Sequence, residues 1–82
     1  MYAEKLLPHD INAEEAVIGS LLIDGDCLSR VSHFLRPQDF YREKNRYLYE
    51  SCLALFERGE GINQITVAHE LSLQNRIDEV GG

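Results

Sequence analysis

The stretch from Pro37 to Gly61, PQDFYREKNRYLYESCLALFERGEG, decides the fold. Within it Leu48, Cys52 and Leu55 recur at i, i+4 and i+7, and Tyr49, Leu53 and Phe56 widen the stripe. That spacing is the 3.6-residue period of a helix with a broad buried face. Gly59 is placed to end this central helix, because a left-handed C-terminal residue costs glycine nothing. At the front, Pro37 stops whatever precedes it by pushing Arg36 out of the α region.

Working back toward the N-terminus, Leu28, Val31 and Leu35 at i, i+3 and i+7 mark a second helix, about residues 27–35. Asp26 can cap it after the turn Asp24-Gly25-Asp26. Before that turn, Val17, Ile18, Leu21 and Leu22 form the apolar face of a first helix, about residues 12–23. Asn12-x-x-Glu15 has the spacing of a capping box, and Asp10 is a second candidate cap two residues earlier. Gly19 lies mid-helix, where it costs about 1 kcal/mol relative to alanine. With Ala16 and Ser20 beside it, the simplest compensation is close approach of another helix. Glu14 and Glu15 in the first turn suit the positive end of the helix dipole. Residues 1–11 read as an extended arm, with Leu6 and Leu7 as anchors and Pro8 barring a helix from upstream.

Beyond the central helix, Gly59-Glu60-Gly61 is a flexible connection and Asn63 a good N-cap. A fourth helix, about residues 64–74, is expected to bury Ile65, Val67, Ala68 and Leu71, and Ile77 to Val80 makes one further turn. No stretch alternates apolar and polar residues as a strand would. The expected fold is all-α, a small compact bundle of four to five helices around the central one. Its expected core is Val17, Ile18, Leu21, Leu22, Leu28, Val31, Leu35, Phe40, Leu48, Cys52, Leu55, Phe56, Ile65, Ala68 and Leu71.

A chain of 82 residues, 44% of them hydrophobic, supports one small domain of modest stability. Its formal net charge is −6, from 14 acidic and 8 basic residues, which repels a phosphate backbone. Direct charge-driven DNA binding is therefore disfavoured. Cys27 and Cys52 are isolated on helical patterns and read as small hydrophobes in a reduced, cytosolic protein, not as a disulfide framework. No apolar run approaches the roughly 20 residues of a membrane span, and the start MYAEKLLPHD is not a signal peptide. The cations are unevenly spread, for Arg30, Arg36, Arg42, Lys44, Arg46 and Arg58 all lie in the middle of the chain. Arg36, Arg42, Lys44 and Arg46 form a candidate interaction patch. The same residues also suit a solvated helix face with pairs from Glu43 to Arg46 or Lys44.

Signatures of chemistry are missing. There is no GxxxxGK[ST], GxGxxG, GxSxG, HExxH or CxxC, so no catalytic, cofactor-binding or metal-ligating residue is assigned. His9, His33 and His69 sit in three separate segments, and Asp24-Gly25-Asp26 lacks the further oxygen ligands of a calcium loop. Two functional classes remain: a protein-interaction domain, and a small helical DNA-binding module using the basic central segment.

A resemblance favours the first. Pro8-His9-Asp10-Ile11-x-Ala13-Glu14-x-x-Val17-Ile18-Gly19-Ser20-Leu21-Leu22-Ile23-Asp24 is followed by Leu35-x-Pro37-x-Asp39-Phe40-Tyr41. Then come Leu55-x-x-x-Gly59-x-x-Ile62, Ile65-Thr66-Val67 and Val80-Gly81-Gly82. In that order the motifs resemble the N-terminal domain of bacterial replicative DNA helicases of the DnaB family. The resemblance implies a helical collar domain over residues 12–82, at one end of a hexameric ring, that associates with other copies and docks primase and the helicase loader. It implies that the chain stops before the helical hairpin, the linker and the motor domain that uses ATP and magnesium on single-stranded DNA. Asn12 and Asn63 depart from the family's usual acids, and both remain good caps. The Leu35 to Tyr41 motif looks like an aromatic corner plugged before the central helix, which moves that helix's start toward Arg42.

Overall fold

The structure, a computed structural model, describes residues 10–80. The arm expected over residues 1–11 lies outside the described residues except for its last two positions, and so do Gly81 and Gly82. The described chain is all-helical with no strand. Helix α1 is Ile11–Ile23, α2 is Leu28–Val31, α3 is Glu43–Glu57 and α4 is Gln64–Leu73. Single 3-10 turns occur at Gly25–Cys27, Pro37–Asp39 and Asp78–Val80.

Each boundary has a local cause. Asp10, not Asn12, caps α1, its carboxylate accepting from the Ala13 N–H at 3.0 Å, so Ile11 is already helical. The second helix is shorter than the apolar spacing suggested. Only one α turn forms at Leu28–Val31, because Pro37 holds Arg36 extended (φ −112°, ψ 158°) and the chain must leave the helix to reach it. Leu35 still reaches the core, with its N–H bonded to the Val31 carbonyl at 3.0 Å.

Helix α3 starts after Arg42, and Gly59 ends it with φ +75°. The Glu60 N–H returns to the Leu55 carbonyl at 2.9 Å, and the Gly59 N–H to the Phe56 carbonyl at 3.0 Å. This paired closure satisfies carbonyls that a helix end leaves open. Asn75, at φ 60°, closes α4 in the same way, with Arg76 N–H on the Leu71 carbonyl at 2.8 Å. At the other end of α4, Asn63 accepts from Ile65 and Thr66 N–H, while Thr66 Oγ1 accepts from Asn63 N–H.

The core sits between α1, α3 and α4. Ile18, Leu21, Leu28, Leu35, Phe40, Tyr49, Cys52, Leu55, Val67 and Leu71 are buried. Val17, Leu22, Val31 and Leu48 are half-buried and packed around them. The aromatic corner is filled by Phe40, whose ring lies 5.0 Å from that of Tyr49, and the Tyr49 hydroxyl donates to the Leu35 carbonyl at 2.7 Å.

Three expected core residues are on the surface. Ile65 is 80% exposed, Phe56 41% exposed, and Ala68 is exposed. At about 100° per residue, Val67, Glu70 and Leu71 share one side of α4, and Ile65 falls nearly opposite them. Among the described residues the close approach expected at Gly19 is also absent, since a Cβ there would meet none of them within 4 Å.

Candidate protein-interaction surfaces

Helices α1 and α3 lie side by side and point the same way, which divides the functional groups between two ends of the molecule. At the N-terminal end, Glu14 is fully buried. Its carboxylate accepts from the Tyr41 N–H at 2.5 Å, the Arg42 N–H at 3.3 Å and Asn45 Nδ2 at 3.0 Å. Arg42, the N-cap of α3, makes no side-chain cap bond, and the carboxylate from α1 instead holds the two backbone N–H groups that lead into the helix, those of Tyr41 and Arg42. The expectation that Glu14 merely favours its own helix dipole is therefore incomplete. Only Glu15, its exposed neighbour, fits that simple picture.

The basic segment meets this same end. Arg46 donates to the Phe40 carbonyl at 2.9 Å and the Tyr41 carbonyl at 3.2 Å, which ties the guanidinium to the aromatic corner. Arg42 is exposed and 4.0 Å from the Glu15 carboxylate. Arg36 is exposed and Lys44 half-buried. Glu43 accepts from the Tyr47 hydroxyl at 2.8 Å, while Arg46 is held by carbonyls. Carboxylates of Glu15, Asp39 and Glu43 are thus interleaved with these cations, so the field is mixed in sign.

The opposite end carries the two most exposed large apolar groups among the described residues. Ile23, at the last position of α1, is 89% exposed and Ile65 on α4 80% exposed. With Gly19, Leu22, Asn63 and Gln64 they line an open recess of about 550 Å³. Ile23 also borders a second recess of about 260 Å³, shared with Phe56, Ile62, Asp24, Asp26 and Glu60. Its floor is the contact of Gly25 with Ile62. Sequence periodicity assigned Ile65 and Phe56 to the core. The signal for exposure was available in the placement of Ile23 and Ile65 at helix ends beside polar turns.

Beside this end Arg58 bridges two acids. It donates to the Glu60 carboxylate at 3.1 Å and to the buried Glu70 carboxylate at 2.6 Å, and Gln74 Nε2 adds a bond to Glu70 at 2.9 Å. The Arg58 guanidinium holds the Glu70 carboxyl below the usual carboxylate range. Arg76 similarly meets Glu50 at 2.6 Å and covers the Tyr47 ring at 4.1 Å. These arrangements fix helices rather than present reactive groups. Burial pushes the Cys52 thiol up to about 11, so little thiolate exists near neutral pH, and both cysteines are free. Among the described residues no group of three His, Cys, Asp or Glu is placed to hold a metal, and no helix is long and apolar enough to cross a membrane.

The arrangement of helices and surfaces has close counterparts. The family model for the DnaB-like helicase N terminal domain matches residues 6–82. The chain is 34% identical over 82 residues to the replicative DNA helicase DnaB of Geobacillus stearothermophilus, covering 100% of this chain and 18% of that protein. It is 38% identical over 79 residues to the replicative DNA helicase DnaC of Bacillus subtilis, covering 96% of this chain and 17% of that one. A crystal structure of the N-terminal domain of DnaB helicase from Mycobacterium tuberculosis superposes with a TM-score of 0.87 at 39% identity, over 92% of this chain and 52% of that chain. The chain therefore spans less than a fifth of the length of these two curated relatives.

Proposed function

The chain belongs to the family of DnaB-like helicase N-terminal domains, and from that membership we propose that it is a protein-interaction domain of a replicative DNA helicase. It contributes to assembly of the ring's collar and docks primase and the loader, without catalysis of its own. The intact protein unwinds duplex DNA in the cytoplasm, with ATP and magnesium handled by a motor domain elsewhere in its chain. The observation that carries this reading is the family match together with where the polar groups go. Glu14, Arg46, Arg58 and Glu70 are engaged within the fold, while Ile23 and Ile65, the two most exposed large apolar side chains among the described residues, face outward beside one recess.

Arg36, Arg42 and Lys44 are the cations of the central segment offered to a partner, since Arg46 is held by carbonyls. Calorimetric titration of the chain, and of a longer one including the following hairpin, with the helicase-binding domain of primase tests the docking role. Heat of binding from at least one is expected. Absence of binding to both would remove primase docking from this protein. A variant with Arg36, Arg42 and Lys44 all replaced by alanine should bind more weakly and with less salt dependence, or the basic segment has no part in docking.

A further inference from the structure

We propose that the face between Ile23 and Ile65 receives a basic amphipathic segment of another protein, its apolar side chains beside Gly19 and its lysines or arginines over Asp24 and Asp26. The inference rests on reading the chain as an interaction domain, and it names the surface and the chemistry of what lands there.

Three observations converge on that occupant. First, Ile23 and Ile65 are 89% and 80% exposed and wall one recess. Two aliphatic side chains this exposed leave apolar area for a partner to cover. Second, Gly19 opens into that same recess with nothing within 4 Å of where its Cβ would be. A glycine inside a helix weakens it, and no neighbour in the described chain uses the space. A helix arriving from outside can approach the α1 backbone closely there. Third, the adjoining recess is bordered by Asp24, Asp26 and Glu60; Glu60 is already paired with Arg58 at 3.1 Å, and no lysine or arginine in the lining of either recess faces Asp24 and Asp26.

The charge argues against a second copy as the occupant. A two-fold pairing through this face sets one acidic rim against another, between chains of formal charge −6. A head-to-tail pairing needs a cationic surface; of the exposed arginines, Arg36 and Arg42 sit among Glu15, Asp39 and Glu43, Arg58 is bound to Glu60 and Glu70, and Arg30 is a single charge on α2. A cationic amphipathic segment meets both requirements, apolar filling and opposite charge, in the helix-in-groove mode.

The test uses the chain with a fluorescein-labelled amphipathic helix of leucine and lysine, read by anisotropy, against a matched helix of leucine and glutamate. The lysine helix should bind, with affinity falling as salt rises, and the glutamate helix should not. Ile23→Ser combined with Ile65→Ser should weaken binding about a hundredfold, since each burial is worth about a factor of ten. Asp24→Asn with Asp26→Asn should weaken it about threefold or more and flatten the salt dependence. Both sites are exposed, so thermal unfolding of both variants should match the parent. Equal binding of the two helices, or of parent and variants, overturns the proposal. So does a dimer in sedimentation that Ile65→Ser abolishes, which gives the face to a second copy. An affinity that rises about tenfold when residues 1–9 are removed gives it to the chain's own arm. Primase binding that survives Ile23→Ser with Ile65→Ser removes primase as the occupant while leaving primase docking intact.

Discussion

Replacing Glu14 by alanine should cost this domain a large part of its stability, while the same change at Glu15 should cost almost nothing. Glu14 is fully buried and its carboxylate serves three donors, the N–H groups of Tyr41 and Arg42 and the side-chain amide of Asn45. Removing the acceptor leaves each donor with a desolvation penalty of about 1–3 kcal/mol. The two backbone groups are part-buried, so the lower half of that range applies to them, and the total comes to about 3–7 kcal/mol. A chain of this length has about 4–12 kcal/mol in all. For domains of this size each kcal/mol lowers Tm by about 4–8 °C, so a fall of at least about 12 °C is expected. Glu15 is exposed and its nearest cation, on Arg42, is 4.0 Å away, a geometry worth about 0–1 kcal/mol. Glu14→Gln keeps the shape but turns an N–H toward one of the donors, and should fall between the two. Urea unfolding followed by circular dichroism measures all three variants. If Glu14→Ala lay within about 1 kcal/mol of Glu15→Ala, the carboxylate would not be what holds the entry to α3.

Other outcomes follow from the same contacts. Gly19→Ala should raise stability by up to about 1 kcal/mol, because the site is helical and open, and an unchanged or lowered melting temperature would show hidden crowding there. Gly59→Ala should lower stability by about 1–2 kcal/mol, since φ is +75° with space around it, so the penalty is conformational. Glu70 gives a pH dependence. Its carboxyl is held down by Arg58, so its contribution is fully present above the ordinary glutamate value of about 4.3 and is lost as pH falls below it. The stability gap between the parent and Glu70→Gln should therefore be widest near about pH 7 and should shrink as pH falls below the ordinary glutamate value. A gap independent of pH would mean the ion pair is not what stabilises the folded form.

Helix α3, its end at Gly59, the corner at Phe40 and the caps at Asn63 were legible because each depends on residues close together in the chain. What was illegible depends on packing. Nothing near Glu14 in sequence shows that it will hold the backbone leading into a helix that begins nearly thirty residues later; an acid in a first turn has an adequate local explanation. Ile65, Phe56 and Ala68 fit an apolar stripe as well as their buried neighbours do, and a period does not say which edge of a wide stripe is covered. Gly19 invited a packing explanation, and the described chain supplies no partner for it. The exposed end was hidden by the same rule that found the core, since apolar residues were read as inward-facing by default.

The contact of Gly25 with Ile62 works as a gauge. A Cβ at position 25 would lie 2.7 Å from the Ile62 Cβ, so the turn after α1 and the connection into α4 are spaced by the absence of one methyl group. Ile62 immediately precedes Asn63, whose side-chain oxygen fixes the first turn of α4 and with it the position of Ile65. Any side chain at 25 would wedge the two connections apart and widen the aperture between Ile23 and Ile65. The smallest residue in the chain thus calibrates the surface that two of its larger ones present.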